Sequence, residues 1–182
     1  MQWLDELRIA LEREFASAPQ VMMLATVDAS CAPHVRCLVC RRIDEEGRLY
    51  AATDSRTQKD AELKSNSRAE IVFWLPKLRT QYRISGCAKM VAYPEDEQLH
   101  KEIWRQMSNE SRSMFFWPTP GVAADTDNAF TQAVVGEVPP PRNFEIFILQ
   151  PKQVDRLSLE HHPHRRRIWR SDTSWAGVDV NP

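Results

Sequence analysis

Apolar positions recur at helical spacing near the N-terminus: Leu4, Leu7, Leu11 and Phe15 share one face, with Asp5, Glu6, Arg8, Glu12 and Arg13 elsewhere. The pattern predicts an amphipathic helix over residues 3–16, ended by Pro19. The period then changes. Five short β-like runs follow, at residues 21–28, 34–43, 48–53, 69–75 and 81–92. The polar connections 28–33 and 44–47 have hairpin length, so the first three runs should pair antiparallel. Asp54, Ser55 and Thr57 offer caps for a short helix reaching about residue 65. Its few apolar positions, Ala61 and Leu63, predict that it lies on the surface.

Pro94 followed by Glu95, Asp96 and Glu97 opens another helix, with Leu99, Ile103 and Met107 inward and Trp104 extending that face. Residues 108–128 mix Phe115, Phe116 and Trp117 with Pro118 and Pro120, which predicts a fixed loop. Residues 129–135 read as one more short helix. Beyond Pro139, Pro140 and Pro141, residues 144–149 and 154–159 read as two strands and 168–170 as a last one. Short strands with two or three helices, and no alternation of strand with long helix, predict a mainly β fold. The expected architecture is a small antiparallel barrel with flanking helices.

Composition narrows the function. The 182 residues, 42% hydrophobic and 27% charged, suit one packed domain over 1–182. Lys plus Arg (24) against Asp plus Glu (25) leaves a net charge of −1, so nothing draws the whole molecule to nucleic acid or acidic membranes. No apolar run approaches the ~20 residues of a membrane span, and residues 1–15 are too charged for a secretory signal, so a cytoplasmic location is expected. Cys31, Cys37, Cys40 and Cys87 form no dense framework and suit reduced thiols. Cys37 and Cys40 spell C-x-x-C, but a strand sends them to opposite faces, which favours core filling over redox or zinc chemistry. His161, His162 and His164 adjoin Arg165, Arg166 and Arg167, whose charges would repel a metal ion, so no metal site is expected. Glycine-rich nucleotide loops, H-E-x-x-H and G-x-S-x-G are absent from the sequence.

One stretch has the logic of an anion site. Arg56, Thr57 and Lys59 fall where a capped helix would begin, and Arg36 is placed to join them across a hairpin. A phosphate dianion wants such cations, a hydroxyl and free first-turn N–H groups. Asp54, Asp60 and Glu62 are the competing partners for the same cations.

Three segments carry a resemblance: R-C-L-V-C-R at 36–41, Y-A-A-T-D-S-R-T-Q-K at 50–59 and T-Q-Y-R-I-S-G-C-A at 80–88. They resemble the core of the pyridoxamine 5′-phosphate oxidase-like flavoproteins, whose FMN-binding split barrels form homodimers. The likeness runs over residues 20–92, with a weaker echo from 144 to Trp175 and Asn181-Pro182, and it is nearest to a subfamily of mostly uncharacterised substrate. It implies an antiparallel split barrel of core 20–92, completed by 144–182, with FMN at the subunit interface. By the same resemblance Arg36, Cys37, Leu38, Val39 and Arg41 would hold FMN through side chains and backbone, and Ala52 and Thr53 would lie against it. Thr57, Gln58 and Lys59 would take the phosphate and Gln81 would face the isoalloxazine. A later flavin contact falls on Arg166, or on Arg165 or Arg167 after a one-residue shift.

Two departures from the family matter. Gln58 stands where the family has arginine, with Arg56 as a replacement cation. Where the oxidase holds its substrate's phosphate with tyrosine, arginine and serine, this chain has Trp104, Ser108 and Arg112. The family's C-terminal arginine and histidine fall near His162 and His164, so only the histidine is kept. The resemblance therefore implies an FMN-dependent oxidoreductase acting on an unidentified small molecule, with Trp104, Arg112 and His164 as candidate substrate contacts and pyridoxamine 5′-phosphate a poor substrate. No catalytic residue is assigned. A flavin-binding module without turnover is the alternative; an RNA-binding barrel lacks the broad basic surface it would need. The aromatic loop 114–120, with Phe115, Phe116 and Trp117, is the expected contact of a homodimer.

Overall fold

Alternating burial along the strands closes a barrel in the computed structural model, which describes residues 1–124 and 130–182. The order of elements is α1 (Gln2–Phe15), β1 (Val21–Val27), β2 (Pro33–Ile43), β3 (Leu49–Asp54), α2 (Gln58–Ser65), β4 (Arg68–Leu75) and β5 (Thr80–Val91). There follow α3 (Glu97–Gln106), α4 (Asn109–Ser113), β6 (Phe144–Ser158), β7 (Arg165–Arg170) and β8 (Val178–Val180). The strands pair antiparallel in the order β3-β2-β1-β4-β5-β6-β7-β8, and a further β3–β6 pairing closes the first six into a barrel. The mainly β fold, the antiparallel barrel and the flanking helices are thus as expected from the sequence.

Met22 and Leu24 of β1, Ile71 and Phe73 of β4, and Tyr82 and Ile84 of β5 point inward. Helix α1 lays Trp3, Leu4, Leu7 and Leu11 onto the same core. Each such side chain contributes about 1.5–3 kcal/mol through burial. A second core lies outside the barrel wall, where Ile103, Trp104 and Met107 meet Phe115, Phe144 and Ile146.

Four departures from the sequence pattern have physical causes. The two C-terminal runs are one strand, β6, which passes through Pro151 because a register shift against β5 leaves Lys152 as an extra residue there. Gly86 makes this possible, since a Cβ on it would lie 2.0 Å from the Gln150 carbonyl oxygen. A second bulge falls at Arg41: Cys40 pairs with Ala51 and Arg42 with Tyr50. Helix α2 is not surface-lying, for it buries Asp60, Glu62 and Leu63. The segment 108–124 contains α4 and a 3-10 turn at Met114–Phe116, and residues 130–135 form no helix; residues 125–129 lie outside the described residues.

Candidate functional site

The turn from β3 into α2 assembles the proposed anion cradle from adjacent residues. Thr57, the N-cap residue, donates its hydroxyl to the Asp54 carbonyl oxygen at 2.7 Å, and Lys59 Nζ donates to Thr57 Oγ1 at 2.5 Å. Lys59 is half-buried and has no carboxylate oxygen within ion-pair distance among the described residues. Burial, followed by the nearby Arg36 charge, pushes its ammonium below the usual lysine range. A cation in this state is costly until an anion reaches it. Among the first-turn N–H groups beside it, that of Asp60 donates to the Thr57 carbonyl oxygen at 3.1 Å, and those of Gln58 and Lys59 have no helical acceptor among the described residues.

The competing carboxylates take other cations. Arg36 Nη2 donates to Glu62 Oε2 at 2.7 Å and Nη1 donates to Thr26 Oγ1, whose hydroxyl donates to the same carboxylate at 2.5 Å. Burial alone would raise the Glu62 carboxyl, but Thr26 and Arg36 hold it below the usual range. Arg56 turns away from the cradle: Nη2 and Nε donate to Asp54 at 2.7 and 3.0 Å, and Nη1 donates to the Trp117 carbonyl oxygen at 2.9 Å. With Asn143 Nδ2 donating to Asp54 and to the Phe115 carbonyl oxygen, Arg56 fastens the loop 115–117 to the β3 end. As a substitute for the arginine that Gln58 replaces, Arg56 is therefore spent, because its donors serve this clamp. Gln58 itself is exposed.

Lys59 opens into a cavity of about 480 Å³. Leu38, Ala52 and Thr53 form one side, and Met114, Trp117, Pro118 and Phe130 are among the residues of the other. The Trp117 and Phe130 rings meet edge to face, 5.4 Å apart. Thr53 Oγ1 is buried and has no hydrogen-bond partner among the described residues. At the second bulge Arg41 Nε is likewise buried and unpartnered, and burial lowers the guanidinium's pKa. The cavity thus has Lys59 and the Arg56-paired Asp54 at its polar end and largely apolar walls, with Arg41 outside its lining, and its size is ordinary for a cofactor site.

The remaining candidates lie elsewhere. Gln81 and Arg166 do not line the cavity; they belong to a row across the outer sheet face, Trp74 beside Gln81, Gln81 beside Leu157, and Leu157 beside Arg166. Arg166 is held by Asp155, at 2.7 and 3.0 Å, and Arg167 by Asp179, whereas Arg165 is exposed. Cys37 is exposed and the Cys40 thiol is buried, pushed up to about 12 by that burial, so the two face opposite ways. His164 is exposed, with Nδ1 2.9 Å from the His161 carbonyl oxygen.

Trp104, Ser108 and Arg112 are spent on local structure. Trp104 is buried and Nε1 donates to the Val138 carbonyl oxygen at 2.7 Å; Ser108 Oγ caps α4 by accepting from the Ser111 N–H. Arg112 donates to the Trp104 and Arg105 carbonyl oxygens and stacks over the Trp104 ring. Trp104 and Arg112 line a different cavity, with residues 136–140, so the structure does not bring them to Lys59. Phe115 is buried against Phe144, 4.8 Å between centroids, and is core rather than docking surface, while Phe116 stays exposed.

A closed antiparallel barrel with a cationic turn opening into a largely apolar cavity has the architecture of a cofactor-binding split barrel. Residues 1–92 match the family described as "Pyridoxamine 5'-phosphate oxidase, FMN-binding domain", and the chain belongs to that family, with FMN as its cofactor. The pyridoxine/pyridoxamine 5′-phosphate oxidase 2 of Arabidopsis thaliana is 27% identical over 176 residues, covering 88% of this chain and 86% of that protein. Among solved structures, a pyridoxamine 5′-phosphate oxidase-related, FMN-binding protein from Nostoc punctiforme superposes with a TM-score of 0.90 at 27% identity, covering 100% of this chain and 98% of that one. PhzG from Burkholderia lata, in complex with tetrahydrophenazine-1-carboxylic acid, shares the fold with a TM-score of 0.76 at 21% identity, over 100% of this chain and 89% of PhzG.

Proposed function

We propose that this protein is an FMN-dependent oxidoreductase, built as a homodimer, acting on a small molecule other than pyridoxamine 5′-phosphate. The observation that carries the reading is the half-buried Lys59 ammonium, without a carboxylate partner among the described residues, at the polar end of the cavity. The FMN phosphate is assigned to Lys59, Thr57 and the first-turn N–H groups of Gln58 and Lys59, with Arg36 adding charge. Leu38, Val39, Ala52 and Thr53, with the Cys37 backbone, are assigned to the ring side, and the unpartnered Arg41 Nε and Thr53 Oγ1 fit a ligand rich in hydrogen-bonding atoms. When bound, FMN supplies the redox step, and the chain orients the substrate and excludes water.

A second copy supplies what one chain leaves apart. Val35 and Val21 of β2 and β1 and Trp74 of β4 are 67%, 42% and 42% exposed on the same outer face as Gln81 and Arg166. An apolar face of this kind suits a two-fold interface, which would carry the partner's row toward the cavity. The exposed thiols of Cys31, Cys37 and Cys87 suit a reducing compartment, and we place the protein in the cytoplasm. No helix among the described residues is long and apolar enough to cross a membrane.

The substrate assignment rests on Trp104, Ser108 and Arg112, of which Trp104 and Ser108 are engaged in local structure and Arg112 is turned to the Trp104 and Arg105 carbonyls, away from the cavity at Lys59. PhzG, with a carboxylic acid bound, supports substrates without phosphate on this fold. The purified protein should absorb between roughly 350 and 500 nm, and should release no hydrogen peroxide with pyridoxamine 5′-phosphate. Failure to take up FMN overturns the reading. FMN binding without turnover of amines, quinones or reduced nicotinamides makes it a flavin carrier or sensor.

A further inference from the structure

Behind the cradle lies a buried carboxyl pair. Glu145, the second residue of β6, pairs across the sheet with Thr53 of β3, so their side chains share a face. Helix α2 packs over them with Asp60 and Lys64. Glu145 is 3% exposed and Asp60 8%, and both carboxyl groups face the same ammonium, that of Lys64. Lys64 Nζ stands 2.8 Å from Asp60 Oδ2 and 3.8 Å from Glu145 Oε1, and its own side chain is mostly exposed. Asp54 of β3 adds a further negative charge, tied to Arg56. Glu145 Oε2, Asp60 Oδ1 and Thr53 Oγ1 are all buried without a hydrogen-bond partner among the described residues.

One solvent-screened ammonium cannot balance two dehydrated carboxylates beside it, so the pair keeps a proton. Burial, then Asp60, pushes the Glu145 carboxyl up to about 7. Its placement gives the proton a task. Asp60 directly follows Lys59 on α2, and Thr53, the register partner of Glu145, lines the cavity with Lys59. A second negative charge under this turn opposes both the Lys59 charge and the positive end of the helix where a phosphate would sit.

We propose that Asp60 and Glu145 share one proton that is linked to cofactor loading: the cradle takes the FMN phosphate with the pair singly protonated, and FMN binding at neutral pH takes up a fraction of a proton from solvent. The inference rests on the assignment of the phosphate to Lys59 and Thr57. FMN stays largely dianionic above its second ionisation, near about 6, so the pair can be read separately at higher pH.

The test is titration of the apoprotein with FMN, followed by quenching of flavin fluorescence, at intervals between about pH 6.5 and 8.5. The wild-type Kd should rise about tenfold across that range, while Glu145→Gln, which keeps a donor to Asp60, should hold the low-pH value throughout. Riboflavin, lacking the phosphate, should show no such slope. Asp60→Asn, which removes the other carboxylate, should flatten the FMN slope as well. The apoprotein's unfolding midpoint gives a cofactor-free reading. A carboxyl raised in the folded state destabilises as it ionises, so from about pH 5 to 7 the wild-type midpoint should fall relative to Glu145→Gln. FMN binding with the same slope in wild type and Glu145→Gln overturns the linkage alone. No FMN binding at any pH overturns the cofactor assignment and the linkage with it, leaving the midpoint profile to judge the shared proton.

Discussion

Replacing Lys59 by alanine should separate cofactor affinity from fold stability. The ammonium makes one hydrogen bond, to Thr57 Oγ1 at 2.5 Å, and burial already works against its charge in the apoprotein. Removing it breaks no ion pair among the described residues, so the free energy of unfolding of apo Lys59→Ala should stay within about 0.5 kcal/mol of wild type or rise. With FMN present the balance reverses. A charge-assisted contact to a phosphate is worth about 1.5–3 kcal/mol, which corresponds to roughly 10- to 150-fold in Kd. The assay is parallel fluorescence titration with FMN and riboflavin, together with urea unfolding of the apoprotein. FMN affinity should drop by that factor while riboflavin affinity stays unchanged. An equal loss for both ligands, or no loss for FMN, would refute the phosphate cradle; a loss of apoprotein stability above about 1 kcal/mol would make Lys59 a structural residue.

Arg56→Ala should destabilise the protein by about 3 kcal/mol in urea unfolding, since it removes the ion-pair partner of the partly buried Asp54 and frees the Trp117 carbonyl, while Asn143 still holds the Phe115 carbonyl. Its riboflavin and FMN affinities should fall together, because the cavity wall loosens while the cradle keeps its charge. Arg112→Ala should lower stability by about 1–2 kcal/mol and leave FMN affinity unchanged, a result that separates the Trp104 knot from the cofactor site. Val35→Asp, on the exposed β2 face, should shift sedimentation from dimer to monomer and weaken FMN binding; a variant that stays dimeric would rule out this face.

Local signals were readable in the sequence, and distant pairings were not. Leu4, Leu7 and Leu11 announced α1, and the alternation in β1, β4 and β5 announced the barrel, because each pattern is set by one element against one core. Thr57 and Lys59 were legible for the same reason, lying two residues apart on one turn. Arg56 was misassigned because its acceptor on Trp117 is 61 residues away. Helix α2 reads as exposed because hydrophobicity counts Asp60 and Glu62 as outward, whereas inside Lys64 pairs with one oxygen of Asp60, and Arg36 and Thr26 with one oxygen of Glu62. Residues 144–149 and 154–159 read as two strands because the bulge at Pro151 and Lys152, set by the register against Gly86, interrupts the apolar pattern between them.

The β3–β6 seam makes the last stretch of chain decisive for folding. Thr53 and Glu145 meet across it although 92 residues separate them, so the ring of strands cannot close until β6 has been synthesised. A nascent chain ending near residue 92 already contains the cradle residues, yet exposes β3 and β5 as unpaired edges, each a template for another chain. Because Met114, Trp117 and Phe130 of the cavity wall lie beyond residue 92, tight FMN binding should appear only after closure, so the cofactor would select the finished barrel from the aggregation-prone species that precede it.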